Sequence, residues 1–494
     1  MASSTDTAKR PSRRRAVLFR LAAVLLALSP FVLAELVFVM LDWGRPTRHD
    51  DPFVGFSAVH PLFVPSEDGR RYEIAESRWR CFRPHSFPAA KDANEYRIFC
   101  LGGSTVQGRP YAVETSFTTW LELNLKLAEP GRTWRVVNCG GVSYASYRLV
   151  PILEEVLAYR PDMIVLYVGH NEFLEDREYA HIRDRSRWVA APWEWVARTR
   201  TYNLLREGYR RAMGTSDAEG RPVLKADVDA ILDYKGGLAK YRRDDRWRRG
   251  VIEHFRFNIE RLVRMARQAG VNVLLVNPVS NLRDCPPFKS QNRDGLTGEQ
   301  FERWKAICRV AAGQSGPRAV KLLREALAID DQYALVHFRL GKALDGMGEI
   351  EQARAAYVRA KELDICPLRM LEPMHEAIGE VARQTGTPLV DARKLIEQCS
   401  PDGIPGNVYL CDHVHPKIAA HWLIADALID ELARQQIVRP RPGWRDEQAA
   451  MNQQHLASLG PEYLTAGVRR LEALRGWATG RAELQPPADE TNRR

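Results

Sequence analysis

The sequence predicts an α/β protein built on a parallel sheet, and two observations carry that prediction. Short apolar runs rich in β-branched residues recur at 97–101, 134–138, 163–168, 271–276 and 388–390. Each is almost continuously hydrophobic rather than alternating, as strands covered on both faces are. Between them lie stretches with helical periodicity, among them 117–127, 149–157 and 251–268. Strand and helix in alternation imply right-handed crossovers with helices on the sheet faces, an α/β sandwich.

Composition limits what that sandwich can be. At 45% hydrophobic and 27% charged, the chain of 494 residues is neither disordered as a whole nor a polytopic membrane protein. It is also too long for one small core, since single cores stop growing at roughly 250–300 residues. The net charge of +10 invites a nucleic-acid reading. However, residues 1–20 hold six basic residues (Lys9, Arg10, Arg13, Arg14, Arg15 and Arg20) against Asp6 alone, which is half of the excess. What remains is ordinary for the rest of the chain, so no nucleic-acid partner is expected.

The basic tag, residues 1–15, precedes an apolar run over 16–41 broken only by Arg20 and Glu35. As a helix rising about 1.5 Å per residue it is long enough to cross a hydrocarbon core of roughly 30 Å. Arg20 can snorkel toward the headgroups, and Trp43 suits the far interface. A signal-peptidase site is conceivable at Val32-Leu33-Ala34, but the run resumes as Leu36-Val37-Phe38-Val39-Met40-Leu41, where a mature N-terminus should be polar. The expectation is a single-pass anchor over 16–43, a cytoplasmic N-terminus and an extracytoplasmic (periplasmic) body. The eight cysteines suit that compartment. There is no paired CxxC pattern, so a zinc framework is not expected. Cys399 and Cys411, flanking a Pro- and Gly-rich loop, are the expected disulfide; Cys100 and Cys139 lie near strand ends and can equally be buried thiols.

The body divides by pattern. Residues 44–94, rich in Pro, Gly and mixed charge, read as an extended membrane-proximal segment. The first part of the α/β domain covers 95–312, interrupted by an Arg-, Trp- and Tyr-rich insertion at 174–250. A helical insertion follows at 313–365, the domain resumes over 366–435, and 436–494 reads as a helical extension ending in a polar tail after Pro486. Within the helical insertion Ala319, Leu323 and Ala326 are echoed 34 residues on by Ala353, Tyr357 and Ala360, and Leu340-Gly341 and Gly348 match further positions of a tetratricopeptide repeat. The earlier repeat shows only its second helix. So short an array must pack on the body, either as a groove for a protein partner or as a structural insert.

In an open parallel sheet, ligands gather beyond the carboxyl ends of the strands. Those positions read Gly102-Gly103-Ser104-Thr105, Asn138-Cys139-Gly140-Gly141-Val142-Ser143, Gly169-His170-Asn171-Glu172 and, late in the chain, Asp412-His413-Val414-His415-Pro416. A serine on a glycine-flanked turn, a histidine and an aspartate are the parts of a nucleophilic acyl-transfer site. Ser104 needs a base, which His415 supplies if Asp412, three residues earlier, holds its other ring nitrogen. Oxyanion donors are available in the Ser104 N–H, a backbone N–H of the second block and the uncharged Asn171 amide. Other readings are weaker. No GxxxxGK[ST] or GxGxxG follows the first block, and Val106 breaks GxSxG, which argues against an α/β-hydrolase elbow. A metal site at Asp412–His415 with His413, His170 and Glu172 has no HExxH spacing behind it, so no metal and no cofactor is expected.

The four blocks, in this order, resemble those of the SGNH/GDSL hydrolase family over about 95–435. The resemblance implies a flavodoxin-like three-layer α/β/α sandwich and a serine esterase or acyl hydrolase. It also implies Ser104 as nucleophile, Asn171 as oxyanion donor, and Asp412 and His415 as orienting acid and base. Two departures stand out: the first block lacks the family's aspartate before the serine, and the second has no clean equivalent of the oxyanion glycine. Ser143 takes that place in an ungapped match, with Gly141 the nearest glycine; Gly141 and His170 are counted as binding residues. With the body expected to be exported, the expected substrate is an ester of a cell-envelope glycan or lipid. An O-acyltransferase with the same triad, and a catalytically degenerate tetratricopeptide scaffold, are the competing functions.

Overall fold

The computed structural model describes residues 61–175, 230–233 and 236–478, with short pieces at 29–38, 40–41 and 199–202 and the single residues 26, 204 and 228. The chain divides into two compact units, one of 1–59 and 178–224 and one of 60–177 and 225–494. In the first, residues 29–38 are helical. Glu35, the acidic residue that interrupts the apolar run, accepts hydrogen bonds from the Arg200 and Thr201 backbone N–H groups and from Thr201 Oγ1, each at 2.8 Å. Most of the anchor expected over 16–43 lies outside the described residues. No described helix is long and apolar enough to cross a membrane. The polar tail after Pro486 and most of the 174–250 insertion also lie outside them.

The second unit is the α/β body. Its five strands are all parallel: β4 (Glu95–Gly102), β5 (Thr133–Gly140), β6 (Met163–Tyr167), β7 (Asn272–Asn277) and β8 (Leu389–Asp391), in the order β5-β4-β6-β7-β8. Taken by chain position this is 2-1-3-4-5, a doubly wound order with its switch point between β4 and β6. The five expected runs become these strands with bounds moved by one or two residues. Every residue of β4 and of β6 is buried, which is why their apolar runs do not alternate. Where β4 does carry charge, Arg97 and Glu95 neutralise each other at 2.7 Å, both side chains 1% exposed.

The helices needed here are α1 (Ser104–Gln107), α2 (Phe117–Ala128), α3 (Ser146–Leu157), α4 (Asp245–Gln268), α5 (Gly298–Ala312), α6 (Gly316–Ile329), α7 (Ala334–Asp345), α8 (Ile350–Glu362), α9 (Glu372–Thr385), α10 (Ala392–Cys399), α11 (Ile418–Arg434), α12 (Trp444–Ser458) and α13 (Gly460–Ala478). One sheet face, through Ile98, Cys100, Val136, Met163, Val165, Leu274 and Val276, joins a core with Trp120 and Leu121 of α2 and Ile424, Leu428 and Ile429 of α11. On the other side α3, α4 and α9 pack against one another and on β4 and β7, so the sheet is covered on both faces. α4 starts at Asp245, inside the predicted insertion, because Asp244 caps it by accepting from the Trp247 N–H at 2.8 Å.

Three expectations change. Residues 61–94 are not an extended spacer. They form a three-stranded antiparallel sheet, β1 (Phe63–Pro65), β2 (Arg71–Ile74) and β3 (Ser86–Pro88). Its aromatic residues pay the entropy of ordering by packing: Phe63 and Phe87 meet edge-on at 5.1 Å, and Phe87 meets Phe99 of β4 at 5.3 Å. No disulfide joins Cys399 to Cys411, and none of the eight cysteines is in a disulfide. Cys399 ends α10 exposed, whereas the buried Cys411 thiol faces the Pro416 carbonyl, and burial pushes that thiol up to about 12. The helical insertion begins at Gly298, not 313. α5, a helix the sequence pattern did not reveal, is started by a capping box between Thr297 and Gln300.

The positions echoed at 34 residues are buried in one cluster of α5–α8: Ala319, Leu323 and Ala326 with Ala353, Tyr357 and Ala360. Gly341 of α7 lies flat against Tyr357; a Cβ there would stand 2.7 Å from its ring carbons. Gly341→Ala should therefore lower stability by about 1–3 kcal/mol through overpacking, read as a drop in Tm of the full chain, despite alanine's better helix propensity.

Candidate active site

The register brings three of the four sequence blocks to one rim. Gly102 of β4 is paired with Gly140 of β5 and with Tyr167 of β6, so the chain leaves all three strands at the same level, next to the switch point. Ser104 opens α1 directly after β4, with Gly103 as N-cap in an extended conformation. Ser104 is 8% exposed, a largely buried serine rather than a surface one.

The fourth block arrives on a closed loop. The Cys411 N–H donates to the His415 carbonyl at 2.8 Å, and Leu410 and Pro416 form an isolated antiparallel bridge. Asp412 and His415 thereby sit on one turn. His415 Nε2 lies 2.7 Å from Ser104 Oγ, and His415 Nδ1 lies 2.7 Å from Asp412 Oδ2. Asp412 Oδ1 accepts the N–H groups of Val414 and His415, each at 2.9 Å. With Nδ1–H given to the carboxylate, Nε2 holds the lone pair that faces the serine hydroxyl. Burial works to raise the Asp412 carboxyl, but His415 and His413 and the hydrogen bonds from His415 outweigh it and hold it well below the usual carboxylate range. Asp412 is an anion at every pH of interest.

Asn171 follows β6. Its Nδ2 donates to the Tyr144 carbonyl at 3.0 Å, which fixes the amide and leaves its second hydrogen uncommitted. A Cβ on Gly103 would stand 2.6 Å from that same Nδ2, so the glycine is needed for the amide to approach the serine turn. In the second block, the Gly141 N–H is already taken by the Gly102 carbonyl at 3.0 Å. Among the described residues the Ser143 N–H has no hydrogen-bond partner, and Ser143 itself is held at φ 62, a conformation that non-glycine residues adopt at a cost. Of the two donors left open by the sequence, Gly141 is committed to the sheet edge and Ser143 is not.

The remaining block residues have other partners. Glu172 accepts from Ser146 N at 2.7 Å and Ser146 Oγ at 3.0 Å, anchoring the start of α3. His170 Nδ1 accepts the Met370 N–H at 3.3 Å. Burial, with the charges of His413 and His415, pushes His170 down to about 3, and burial pushes His413 down to about 4. Both are neutral near pH 7, so neither adds positive charge beside His415.

Sequence reading missed the residues that hold the triad loop. Asn281, four residues past β7, receives the loop from below. Its N–H donates to the His413 carbonyl at 2.9 Å and its Nδ2 to the Asp412 carbonyl at 3.0 Å. The Asn281 carbonyl in turn accepts Arg369 Nη1 at 2.9 Å. The rule that strand ends gather the site, applied to β7 as to the other strands, points to Asn281; nothing in the sequence pattern points to Arg369.

Neither a family model nor a curated protein matches the sequence. Among solved structures, a putative lipolytic protein of the G-D-S-L family from Desulfitobacterium hafniense is similar at 11% identity over 67% of this chain and 97% of that one, with a TM-score of 0.30. A lipase/acylhydrolase from Enterococcus faecalis is similar at 12% identity over 70% and 100%, TM-score 0.32. An acetylxylan esterase from Geobacillus stearothermophilus is similar at 14% identity over 68% and 94%, TM-score 0.30. Likenesses of this depth assign no activity to the chain, and the functional reading rests on the site itself.

Proposed function

We propose that this chain is a serine ester hydrolase of the SGNH type, with Ser104 as nucleophile, His415 as base and Asp412 as the group that orients it. The observation that carries the reading is the unbroken hydrogen-bonded line Ser104–His415–Asp412, both links at 2.7 Å. Ser104 Oγ attacks the ester carbonyl as its proton passes to His415 Nε2, and the imidazolium is stabilised by Asp412. The carbonyl oxygen, now an oxyanion, is met by the Ser104 N–H, the Ser143 N–H and the Asn171 amide. Collapse expels the alcohol, protonated by His415, and leaves an acyl-enzyme. Water then attacks the acyl carbon, giving its proton to His415, and Ser104 is released as the acid departs.

Asn171→Ala should lower kcat for a short-chain aryl ester about 10²–10³-fold with a smaller change in KM, the signature of a donor used in the transition state. Hydrolysis of such esters by the full-length chain in detergent is the direct assay; no turnover above that of Ser104→Ala would remove the reading and favour the scaffold.

The location we propose is extracytoplasmic, on a membrane anchor over 16–43, with an ester of an envelope glycan or lipid as substrate. Its support is the charge asymmetry of the N-terminus and the apolar surface of the described stretch: Leu26, Phe31, Leu33 and Met40 are 57–86% exposed, a face that water does not favour. A reporter fused after Arg494 that is active only in the cytoplasm would overturn this topology. The insertion α5–α8 is read as tetratricopeptide-like on the burial of its echoed positions.

A further inference from the structure

We propose that the rim beside Ser104 carries an anion subsite in which Arg109, with Arg83 and Arg470, binds a carboxylate or phosphate borne by the ester substrate; the proposal rests on the ester-hydrolase reading and names its substrate class. Arg109 is tied to the nucleophile by its backbone, whose N–H donates to the Ser104 carbonyl at 3.1 Å. Its side chain is left over. Nε is sealed from solvent without a hydrogen-bond partner. Among the described residues neither Arg109 nor Arg83 makes a side-chain hydrogen bond or an ion pair, and the terminal nitrogens of Arg109 are not among the sealed atoms.

The third guanidinium is held in place from the C-terminal extension. Arg470 of α13 donates from Nε to the Pro110 carbonyl at 2.8 Å, and Arg475, one turn on, donates to the Cys411 carbonyl at 2.8 Å. Tyr463 of the same helix stacks on Tyr111 and receives the Ala112 N–H at 3.0 Å. Helix α13 is thus fastened both to the segment that follows Ser104 and to the loop that carries Asp412.

Burial first, then the neighbouring charges of Arg83 and Arg470, push Arg109 down to about 10, so it remains a cation at neutral pH. Asp412 is the carboxylate within reach of its field, but its oxygens are taken by His415 and Val414. Arg109 and Arg83 therefore have no anion paired with them among the described residues, and the Arg470 guanidinium adds to the positive field on Arg109. Partly buried charge without a partner is unfavourable, and an incoming oxyanion reverses that penalty while matching the planar fork of arginine donors. A substrate whose anionic group lies a few bonds from the scissile ester meets Arg109 as its carbonyl meets Ser104.

The test uses the full-length chain and three aryl acetates: methyl 4-acetoxybenzoate, which is neutral, 4-acetoxybenzoate and 4-acetoxyphenyl phosphate. Wild type should prefer an anionic ester in kcat/KM, after correction for intrinsic reactivity; which one it prefers distinguishes carboxylate from phosphate. Arg109→Gln should lower the anionic-to-neutral ratio about tenfold or more. Arg83→Gln should lower it as well, and serves if the first variant fails to fold. A wild-type ratio near one, or the same ratio in wild type and both variants, overturns the subsite. If wild type hydrolyses none of the three, the hydrolase reading has failed and binding decides. A saturable rise in Tm with inorganic phosphate or acetate in wild type, lost in the variants, sustains the subsite, and no rise overturns it.

Discussion

Ser104→Ala should leave a folded protein whose ester hydrolysis has fallen by a factor on the order of 10⁴–10⁶. The rate loss is large because His415 Nε2 points at the Ser104 hydroxyl and, among the described residues, at no other hydroxyl. Stability should barely change. Among the described residues Ser104 Oγ makes its hydrogen bond to His415 alone, and its backbone placement comes from α1 and the Gly103 cap rather than from the side chain. Circular dichroism and Tm matching wild type, alongside lost turnover, are the expected pair of results. Activity retained in the alanine variant would mean that the hydroxyl is a bystander, whatever its distance from the histidine.

Asp412→Asn is the second large effect, and its reasoning is about a tautomer rather than a charge alone. The carboxylate accepts from His415 Nδ1 through Oδ2 while Oδ1 holds the Val414 and His415 N–H groups. An asparagine can keep Oδ1 on those two donors, so the loop retains its shape. Its NH₂ then faces Nδ1 and favours the imidazole form with the proton on Nε2, which cannot accept from Ser104. A loss in kcat of about 10⁴ is expected on that ground, the size seen when the orienting aspartate of a serine triad is amidated. The pH profile supplies a check. Because the Asp412 carboxyl is held well below the usual carboxylate range in the fold, it stays ionised across any working pH. The acid limb of kcat/KM in wild type should therefore report one ionisation, not two. The same depression has a consequence for stability: a lowered folded-state pKa stabilises above the unfolded value of about 4 and is lost as pH falls below it. Asp412→Asn should remove that part of the acid sensitivity of Tm.

How much of this was legible in the sequence depended on the scale of the signal. The five strands were readable because both of their faces are covered, so their hydrophobicity is continuous, as in β4 and β6. Ser104, Asn171, Asp412 and His415 were readable because strand ends and one turn concentrate polar residues among apolar runs, and the fold brings all four together at one rim. The ungapped match favoured Ser143 over Gly141 but held no physical reason for the choice. It depends on which N–H the sheet edge consumes, a matter of register. Residues 61–94 were misjudged because three strands of three or four residues leave too short a pattern. The expected Cys399–Cys411 bridge failed because spacing along a loop says nothing about which cysteine faces inward. Helix α5 was missed because its hydrogen-bonded cap, not its periodicity, marks its start, and among its residues only Trp304 and Ala311 are buried.

The central claim is that Ser104 is an activated nucleophile, and covalent capture tests it without reference to any substrate. The full-length chain treated with a fluorophosphonate should gain one adduct, seen by intact mass. Peptide mapping should place it on Ser104, and Asp412→Asn should form it far more slowly. A folded wild-type protein that stays unlabelled, or that carries the adduct on another residue, would contradict the account.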